Sequence, residues 1–249
     1  MTTEVRRVSD SIVCLRRASY QTCSYIVRMP EGLVLLDAGM SSDGSDIRAG
    51  LDAMNAEASD IRAILLTHWH NDHAAGAHAA HAVSGAAVYY HRADERFFTG
   101  IAGAKGIRGW ISDQIPEWGL LVLAKGLIGE ATPRPVSAHH FVRDGDVLLG
   151  AFDVIETPGH TAGHVSYFYR PEQALFAGDA LAVIDGRVRF MARPVTLDVD
   201  AARHSMERCL KLGPRIVCPG HREPLIDAES ACRAMLSHLG SGGRWPLLG

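Results

Sequence analysis

Short apolar runs recur along the first part of the chain between polar residues and glycines, as is typical of β-strands. The runs are Ser11–Leu15, Cys23–Val27, Leu33–Leu36, Ala63–Leu66 and Ala87–Tyr90. Between them, Ile47, Leu51 and Met54 recur at helical spacing, and the alanine-rich stretch Ala74–Val83 favours a helix. The first part is therefore predicted to alternate strands with helices.

The same pattern returns in the second part of the chain. Its predicted strands are Phe141–Val142, Val147–Leu148, Phe152–Ile155, Val165–Tyr169, Ala174–Ala177 and Arg215–Cys218, and its predicted helices are Val199–Leu212 and Asp227–Leu239. Steps such as Arg143-Asp144-Gly145-Asp146 are typical of hairpins. The mixture predicts two sheets packed together with helices outside them.

Residues 92–138 interrupt this rhythm with tryptophans, phenylalanines and leucines among glycines and prolines. Three interpretations of this insert stay open: a lid over a site, plain core, or the contact surface of a homodimer. The length of 249 residues fits one large domain, so residues 1–249 are predicted to form a single domain that carries the insert.

Composition narrows the function. The formal net charge of -3 is spread along the chain, without a basic stripe for nucleic acid, so the expected partner is a small-molecule substrate.

The longest apolar stretch, interrupted by Lys125, is too short to span a membrane. The amino terminus lacks the apolar core of a secretory signal, and the 5 cysteines have no metal-site or disulfide spacing. We therefore expect a cytoplasmic protein with reduced, mostly buried thiols.

The segment Thr67–His73 contains several potential metal ligands directly after a predicted strand. His68, His70, Asp72 and His73 lie within six residues. Residues two apart in an extended chain point the same way, so His68 and His70 face one ion, and the turn toward the next helix directs Asp72 and His73 toward a second ion. Imidazole with carboxylate is the usual ligand set of zinc, whereas helix capping does not explain three histidines.

Three later segments each follow a predicted strand and carry a further candidate ligand. They are Thr157-Pro158-Gly159-His160, Ala177-Gly178-Asp179 and Cys218-Pro219-Gly220-His221. Loops that follow strands commonly carry functional residues. A buried apolar residue at the end of a strand explains Cys218 better than ligation does.

In this order, the motifs His-x-His-x-Asp-His, Pro-Gly-His, Gly-Asp and Pro-Gly-His resemble the metallo-β-lactamase superfamily from Asp37 to His221. The resemblance implies an α/β fold, a four-layer αββα sandwich, with a dinuclear site at one edge of its sheets. It implies that the first metal is held by His68, His70 and His160, the second by Asp72, His73 and His221, and that Asp179 bridges both. Two Zn²⁺ ions are expected, with Mn²⁺ or Fe²⁺ as alternatives.

Two residues are candidates for supporting the ligands. Asp37 resembles the early aspartate of the family, which orients ligands without binding metal; the alternative is a turn aspartate before Gly39. For His164 the alternatives are contact with a metal ligand or with the substrate, or a purely structural role. Trp69 is expected to point away from the metals by alternation and to pack on neighbouring structure.

These residues predict a metal-dependent hydrolase that attacks an ester, lactone or thioester with a hydroxide shared by two metals, with Asp72 and Asp179 as catalytic residues. Little chain follows His221, whereas hydroxyacylglutathione hydrolases carry a helical substrate-binding region there, so that activity is not expected. Two alternatives stay open. One is a mononuclear-iron persulfide dioxygenase of the same fold, and the other is a non-catalytic metal-binding or sensor protein.

Overall fold

The computed structural model describes residues 3–18, 20–98, 133–136, 139–242 and 245. The chain divides into two compact units: Met1–Tyr89 with Asp94–His140, and Tyr90–Ala93 with Phe141–Gly249. Residues 99–132, 137 and 138 of the predicted insert lie outside the described residues. The three interpretations of the insert, and the single-domain prediction, therefore stay predictions.

The first unit is organised by a sheet with strand order β1-β2-β3-β4-β5-β6-β7, and the boundary between the units falls within β6 and β7. The strands are β1 Thr3–Arg7, β2 Ile12–Arg17, β3 Cys23–Met29, β4 Gly32–Leu36, β5 Ile61–Leu65, β6 Ala87–His91 and β7 His139–Val142. Neighbours from β1 to β4 are antiparallel, whereas β4 with β5 and β5 with β6 are parallel. Strands β3, β4 and β5 are almost wholly buried, which explains their continuous apolar runs.

The helices described in the first unit are α1 Ser45–Ala53, α2 Asn71–Ala74, α3 Ala77–Ser84 and α4 Glu95–Phe98. The helix predicted over Ala74–Val83 is confirmed from Ala77 onward, but its predicted start is wrong, because the helical conformation is interrupted between α2 and α3. A Cβ atom at Gly76 would lie 2.2 Å from the carbonyl oxygen of Ala38, so the backbones meet too closely for any side chain. The backbone N–H of Ala38 also donates to His73 O at 2.6 Å, so this carbonyl accepts from outside the helix.

The second unit contains a sheet of order β15-β14-β11-β10-β9-β8 and a separate hairpin of β12 and β13. The strands are β8 Val147–Leu148, β9 Phe152–Glu156, β10 Val165–Tyr169, β11 Ala174–Gly178, β12 Ala182–Ile184, β13 Arg187–Arg189, β14 Ile216–Pro219 and β15 Leu225–Ile226. In the six-stranded sheet only β11 and β14 are parallel neighbours among the described residues. This one parallel pair brings the carboxyl ends of β11 and β14 to the same edge.

Two helices cover the apolar core of the second unit: α5 Val199–Lys211 and α6 Glu229–Gly240. Helix α5 begins at Asp198, whose carboxylate accepts hydrogen bonds from the backbone N–H groups of Asp200 and Ala201. Its buried face includes Met206 and Leu210, which belong to the same cluster as Met235 of α6. Both predicted helices are confirmed to within two residues at each end.

The strands that the pattern missed are β1, β12, β13 and β15. They have only two to five residues: β1 and β13 are mostly polar, and β12 and β15 are apolar but only three and two residues long. All 5 cysteines are buried and none is in a disulfide, as predicted. Burial raises the pKa of Cys209 to about 12 and that of Cys232 to about 11. Within the described part of the chain, no helix is long and apolar enough to cross a membrane.

Candidate metal centre

The first group of predicted ligands, His68, His70, Asp72 and His73, lies in the first unit directly after β5 and is called the first donor cluster. His68, Asp72 and His73 are buried, and His70 is half-buried. His70 is still extended, with φ -55° and ψ 143°, and its carbonyl accepts the N–H of Ala74 at 2.9 Å as α2 begins. The predicted change from strand to helix within this segment is therefore present.

One buried carboxylate, that of Asp37, anchors the first donor cluster. Its Oδ1 accepts the backbone N–H of Thr67 at 2.7 Å, and its Oδ2 lies 2.8 Å from Thr67 Oγ1 and 2.9 Å from His73 Nδ1. Asp37 follows β4 with a φ of 54°, a left-handed conformation that aspartate tolerates better than most residues. Asp37 is therefore a hydrogen-bond partner of the predicted ligand His73, and the structure assigns no turn at this position.

The hydrogen bonds around Asp37 fix the ring tautomers of two histidines. A carboxylate only accepts, so His73 Nδ1 carries a hydrogen, and in the neutral ring the lone pair is then on Nε2. Thr67 donates its one hydroxyl hydrogen to Asp37, and its oxygen therefore accepts from His68 Nδ1 at 3.0 Å. In the neutral ring of His68, the lone pair is likewise on Nε2. In both neutral rings, Nε2 is therefore the nitrogen that can ligate a metal.

The potential ligand atoms of the first donor cluster lie close together. His68 Nε2 is 3.1 Å from His70 Nδ1, and His73 Nε2 is 3.5 Å from Asp72 Oδ2. Thr22 Oγ1 donates to the same Asp72 oxygen at 3.2 Å. Thr22 is buried and was not predicted, because a lone threonine fifty positions away carries no motif.

Trp69 packs on neighbouring structure, as predicted, although its ring also contacts that of His70, with centroids 4.5 Å apart. Its ring stacks on Phe97 of α4 with centroids 3.9 Å apart, and its backbone N–H donates to the buried carboxylate of Asp94 at 3.2 Å. The start of the predicted insert therefore braces the segment that carries the first donor cluster.

The second group of predicted ligands, His160, Asp179 and His221, lies in the second unit and is called the second donor cluster. His160 follows β9, Asp179 follows β11 and His221 follows β14. The parallel pairing of β11 with β14 brings Asp179 and His221 to one edge. Asp179 Oδ2 lies 3.3 Å from His160 Nε2 and 3.3 Å from His221 Nε2, so two imidazoles converge on one carboxylate oxygen.

Helix α5 holds the loop that carries His160 through three backbone carbonyls. Arg208 Nη1 donates to Glu156 O at 3.1 Å and Ser205 Oγ donates to Pro158 O at 2.7 Å. The backbone N–H of Asp198 donates to Gly159 O at 2.9 Å. Gly159 lies against the helix so closely that an added Cβ would be 2.4 Å from the Cβ of Ala202.

An ion pair between Arg208 and Asp144 supports the contact of helix α5 with the loop that carries His160. Burial raises the pKa of Asp144, but hydrogen bonds from Arg208 and from the backbone of Glu156, together with the charge of Arg208, outweigh it and lower the pKa overall. Arg208 Nη2 lies 2.7 Å from one Asp144 oxygen and 2.9 Å from the other. The pair anchors the helix beside the loop.

Among the other histidines, His164 lies beside the second donor cluster, and several make their contacts outside both clusters. His164 Nε2 accepts the backbone N–H of Asp179 at 3.0 Å, so it contacts a predicted ligand through the main chain. Contacts elsewhere are made by His78 with Pro135 O, His81 with Ala86 O, His91 with Glu156, His139 with Val136 O and His140 with Tyr89. The buried Cys218 lies inside β14, as predicted.

The donors of both clusters fit a divalent metal. Each cluster combines imidazole nitrogens with a carboxylate, the set that zinc and neighbouring transition metals prefer. Buried carboxylates and imidazoles within 3.1 to 3.5 Å of one another are costly to desolvate unless a cation offsets them. In His68 and His73, the partners of Nδ1 leave Nε2 as the ligating nitrogen of the neutral ring.

Comparison with known proteins identifies the family. A family model described as the Metallo-beta-lactamase superfamily matches residues 18–221. The chain belongs to this superfamily. The resemblance inferred from the motifs and the predicted α/β fold class are both confirmed. The metallo-β-lactamase fold is thereby assigned to the chain as a whole.

The relatives are metallo-hydrolases. The probable metallo-hydrolase YqjP of Bacillus subtilis (strain 168) is 26% identical over 228 residues, covering 83% of this chain and 68% of that protein. A hydroxyacylglutathione hydrolase of Bdellovibrio bacteriovorus is 28% identical over 142 residues, covering 56% of this chain and 42% of that protein. The chain is accordingly an enzyme of the metal-dependent hydrolase type, as predicted.

A solved structure relates the fold to metal binding. The crystal structure of TTHA1623 in a di-iron-bound form is similar with a TM-score of 0.62 and 29% identity, over 88% of this chain and 96% of that chain. The superfamily binds divalent metals, and iron is one of those found in it.

Proposed function

We propose that this metallo-hydrolase cleaves an ester, lactone or thioester of a small molecule with two Zn²⁺ ions held by the seven predicted ligands. His68, His70 and His160 hold one ion, Asp72, His73 and His221 hold the other, and Asp179 joins them. The observation that carries the proposal is the tautomer control described above, because Asp37 and Thr67 keep the Nε2 lone pairs of His73 and His68 for ligation.

Divalent metals bound by these residues would supply one kind of chemistry: they would lower the pKa of the attacking water and polarise the carbonyl oxygen under attack. Asp179 keeps the two ions together. Asp72 takes a proton from the attacking water and returns it to the leaving oxygen or sulfur, while the hydroxyl of Thr22 donates to one of its oxygens at 3.2 Å. One water is consumed: an ester releases an acid and an alcohol, a thioester an acid and a thiol, and a lactone opens to a hydroxy acid.

The substrate class rests on chemistry shared by the relatives. A hydroxyacylglutathione hydrolase acts on a thioester by its name, but the match covers only 42% of that protein, so the glutathione moiety is not part of the proposal. The even distribution of a net charge of -3 supports a small molecule and not a nucleic acid. Zinc is preferred for the imidazole and carboxylate donors, with iron and manganese as alternatives.

The proposal is tested by metal analysis and a substrate panel. We expect two metal ions per chain and turnover of at least one ester, lactone or thioester. In His70→Ala, we expect kcat/KM to fall by more than about 100-fold, because loss of a supporting residue alone typically costs 10- to 100-fold. His81→Ala is the matched control, since His81 contacts only Ala86 O among its described hydrogen bonds and lies outside both donor clusters.

Two outcomes would overturn the proposal. A pure protein that carries a single iron and consumes oxygen with glutathione persulfide would be a dioxygenase. A fully metal-loaded protein without turnover across ester, lactone, thioester and β-lactam substrates would be a metal-binding or sensor protein.

A further inference from the structure

His164 lies at the centre of a buried hydrogen-bonded chain in the second unit. Only 1% of the residue is exposed, and its Nε2 lies 3.0 Å from the backbone nitrogen of Asp179. A backbone N–H only donates, so Nε2 of His164 accepts. The ring is therefore neutral, with its hydrogen on Nδ1.

The donor and acceptor roles of the next groups follow from this first bond. His164 Nδ1 donates to Thr157 Oγ1 at 2.7 Å, and Thr157 Oγ1 is then left to donate to Ser166 Oγ at 3.0 Å. Ser166 Oγ donates to the carbonyl oxygen of Ala177 at 3.1 Å. Every hydrogen bond points the same way, an arrangement in which successive bonds polarise and strengthen one another.

The chain of hydrogen bonds begins and ends on the same stretch of backbone. It starts at the N–H of Asp179 and ends at the carbonyl of Ala177, with Gly178 between them at a φ of 50°. Thr157 directly follows β9, Ser166 lies in β10, and both are buried. The bend that follows β11 is thus tied to two neighbouring segments of the sheet.

We propose that His164 is a positioning residue that directs the carboxylate of Asp179 through its backbone amide, with Thr157 and Ser166 holding the required tautomer. The inference rests on the proposed role of Asp179 as the residue that joins the two metals. His164 accepts from the backbone N–H of Asp179 and not from its carboxylate, so this hydrogen bond leaves the carboxylate oxygens available to the metals. It is also uncharged, so it adds no cation that would attract the carboxylate away from the metals.

A pair of substitutions separates the two ends of the imidazole. In His164→Gln, the side-chain oxygen can replace Nε2 as acceptor for Asp179, whereas in His164→Asn the amide nitrogen can replace Nδ1 as donor to Thr157. We expect the affinity for Zn²⁺, measured by chelator competition on the full chain, to fall about 10- to 100-fold in His164→Asn and clearly less in His164→Gln. Melting temperatures of the metal-depleted proteins should fall by similar amounts in both.

A second pair tests the hydroxyl. Thr157→Val removes it at nearly constant volume, and Thr157→Ser keeps it. We expect Zn²⁺ affinity to fall in Thr157→Val, by less than in His164→Asn, and to be restored in Thr157→Ser. His81→Asn is the control, with a change in melting temperature at most and unchanged Zn²⁺ affinity.

Equal losses of affinity in His164→Gln and His164→Asn, or wild-type affinity in His164→Asn, would overturn the positioning role. Loss of affinity in proportion to melting temperature across all variants would assign His164 a purely structural role. Because these measurements need no substrate, a wild type that binds Zn²⁺ but hydrolyses nothing would contradict the proposed function while leaving the order of affinities to decide this inference.

Discussion

The two donor clusters are built in opposite ways. The first has its four residues within six positions and is anchored by one charged group, Asp37, which contacts His73 directly and His68 through Thr67. The second draws its three residues from three separate loops and is anchored by neutral hydrogen bonds and by helix α5. In the first donor cluster the supporting contacts fix the tautomers of histidine rings, and in the second they fix the backbone of the loops.

The difference follows from chain connectivity. Adjacent ligands on a short segment are positioned by that segment, so what remains to be controlled is which ring nitrogen carries the hydrogen, and a carboxylate is the acceptor that controls it most strongly. Ligands on separate loops have their relative positions set only by packing. Contacts to the carbonyls of Glu156, Pro158 and Gly159 supply that packing.

The largest effect is expected where backbone packing positions the second donor cluster. Gly159 has a φ of 140°, and a Cβ there would lie 2.4 Å from Ala202 Cβ and 2.5 Å from Ala202 N. Gly159→Ala should lower the free energy of unfolding by about 3 kcal/mol or more, from backbone strain and overpacking together. Urea unfolding of the metal-depleted protein measures it, and Zn²⁺ affinity should also fall because His160 moves.

Gly213→Ala is the matched control in the same unit. Gly213 has a φ of 65° with nothing within 4 Å of an added Cβ, so only the conformational cost of about 1 kcal/mol is expected, with unchanged metal affinity. Equal losses of stability in the two variants would show that contact with α5 does not position the loop.

The next effect concerns the charged anchor of the first donor cluster. Asp37→Asn keeps the size and tolerates the positive φ, but its amide cannot accept at both oxygens from Thr67 and His73. We expect a 10- to 100-fold loss of Zn²⁺ affinity and a loss of about 2 kcal/mol in unfolding free energy. Chelator competition and urea unfolding report the two. Unchanged affinity would mean that the tautomers are set without Asp37.

A smaller effect is expected at Asp46, a buried carboxylate of the first unit outside both clusters. It accepts from Thr3 Oγ1 at 2.5 Å and from the backbone N–H of Ser41 at 3.0 Å, and it lies 3.4 Å from Arg17. Asp46→Asn should lower the unfolding free energy at pH 7 by about 1 to 2 kcal/mol and leave Zn²⁺ affinity unchanged. A fall in affinity would show that any buried carboxylate of this unit supports the metals.

The pH dependence at Asp46 has a definite sign. Burial raises the pKa of its carboxyl, but the hydrogen bonds from Thr3 and Ser41 and the charge of Arg17 outweigh burial and lower it below 3.8. The stabilisation is therefore present above the unfolded pKa and is lost as the pH falls through the folded one. The difference between wild type and Asp46→Asn should shrink as unfolding is measured from pH 6 toward pH 3.

Much of the fold was readable from local pattern. The buried strands β3, β4, β10 and β11, and the helices α5 and α6, have apolar runs or stripes long enough to be recognised without tertiary information. The edge strand β1 is mostly polar, and the apolar β15 has only two residues, so only their pairing with neighbouring strands reveals them. The break at Gly76 depends on a contact with Ala38, which no helical pattern reveals.

The candidate ligands were likewise readable, because imidazoles and carboxylates at fixed spacing after strands carry their chemistry in residue type alone. Their supporting residues were not. Thr22, Thr157 and Ser166 are common polar residues, and only tertiary structure places Thr22 beside Asp72 and orders the other two into a chain of hydrogen bonds ending at Asp179. The sequence by itself determined which side chains offer donors for a metal. Tertiary structure decided which ring nitrogens keep their lone pairs, because a tautomer depends on the partner of the opposite nitrogen, and that partner comes from a distant part of the chain.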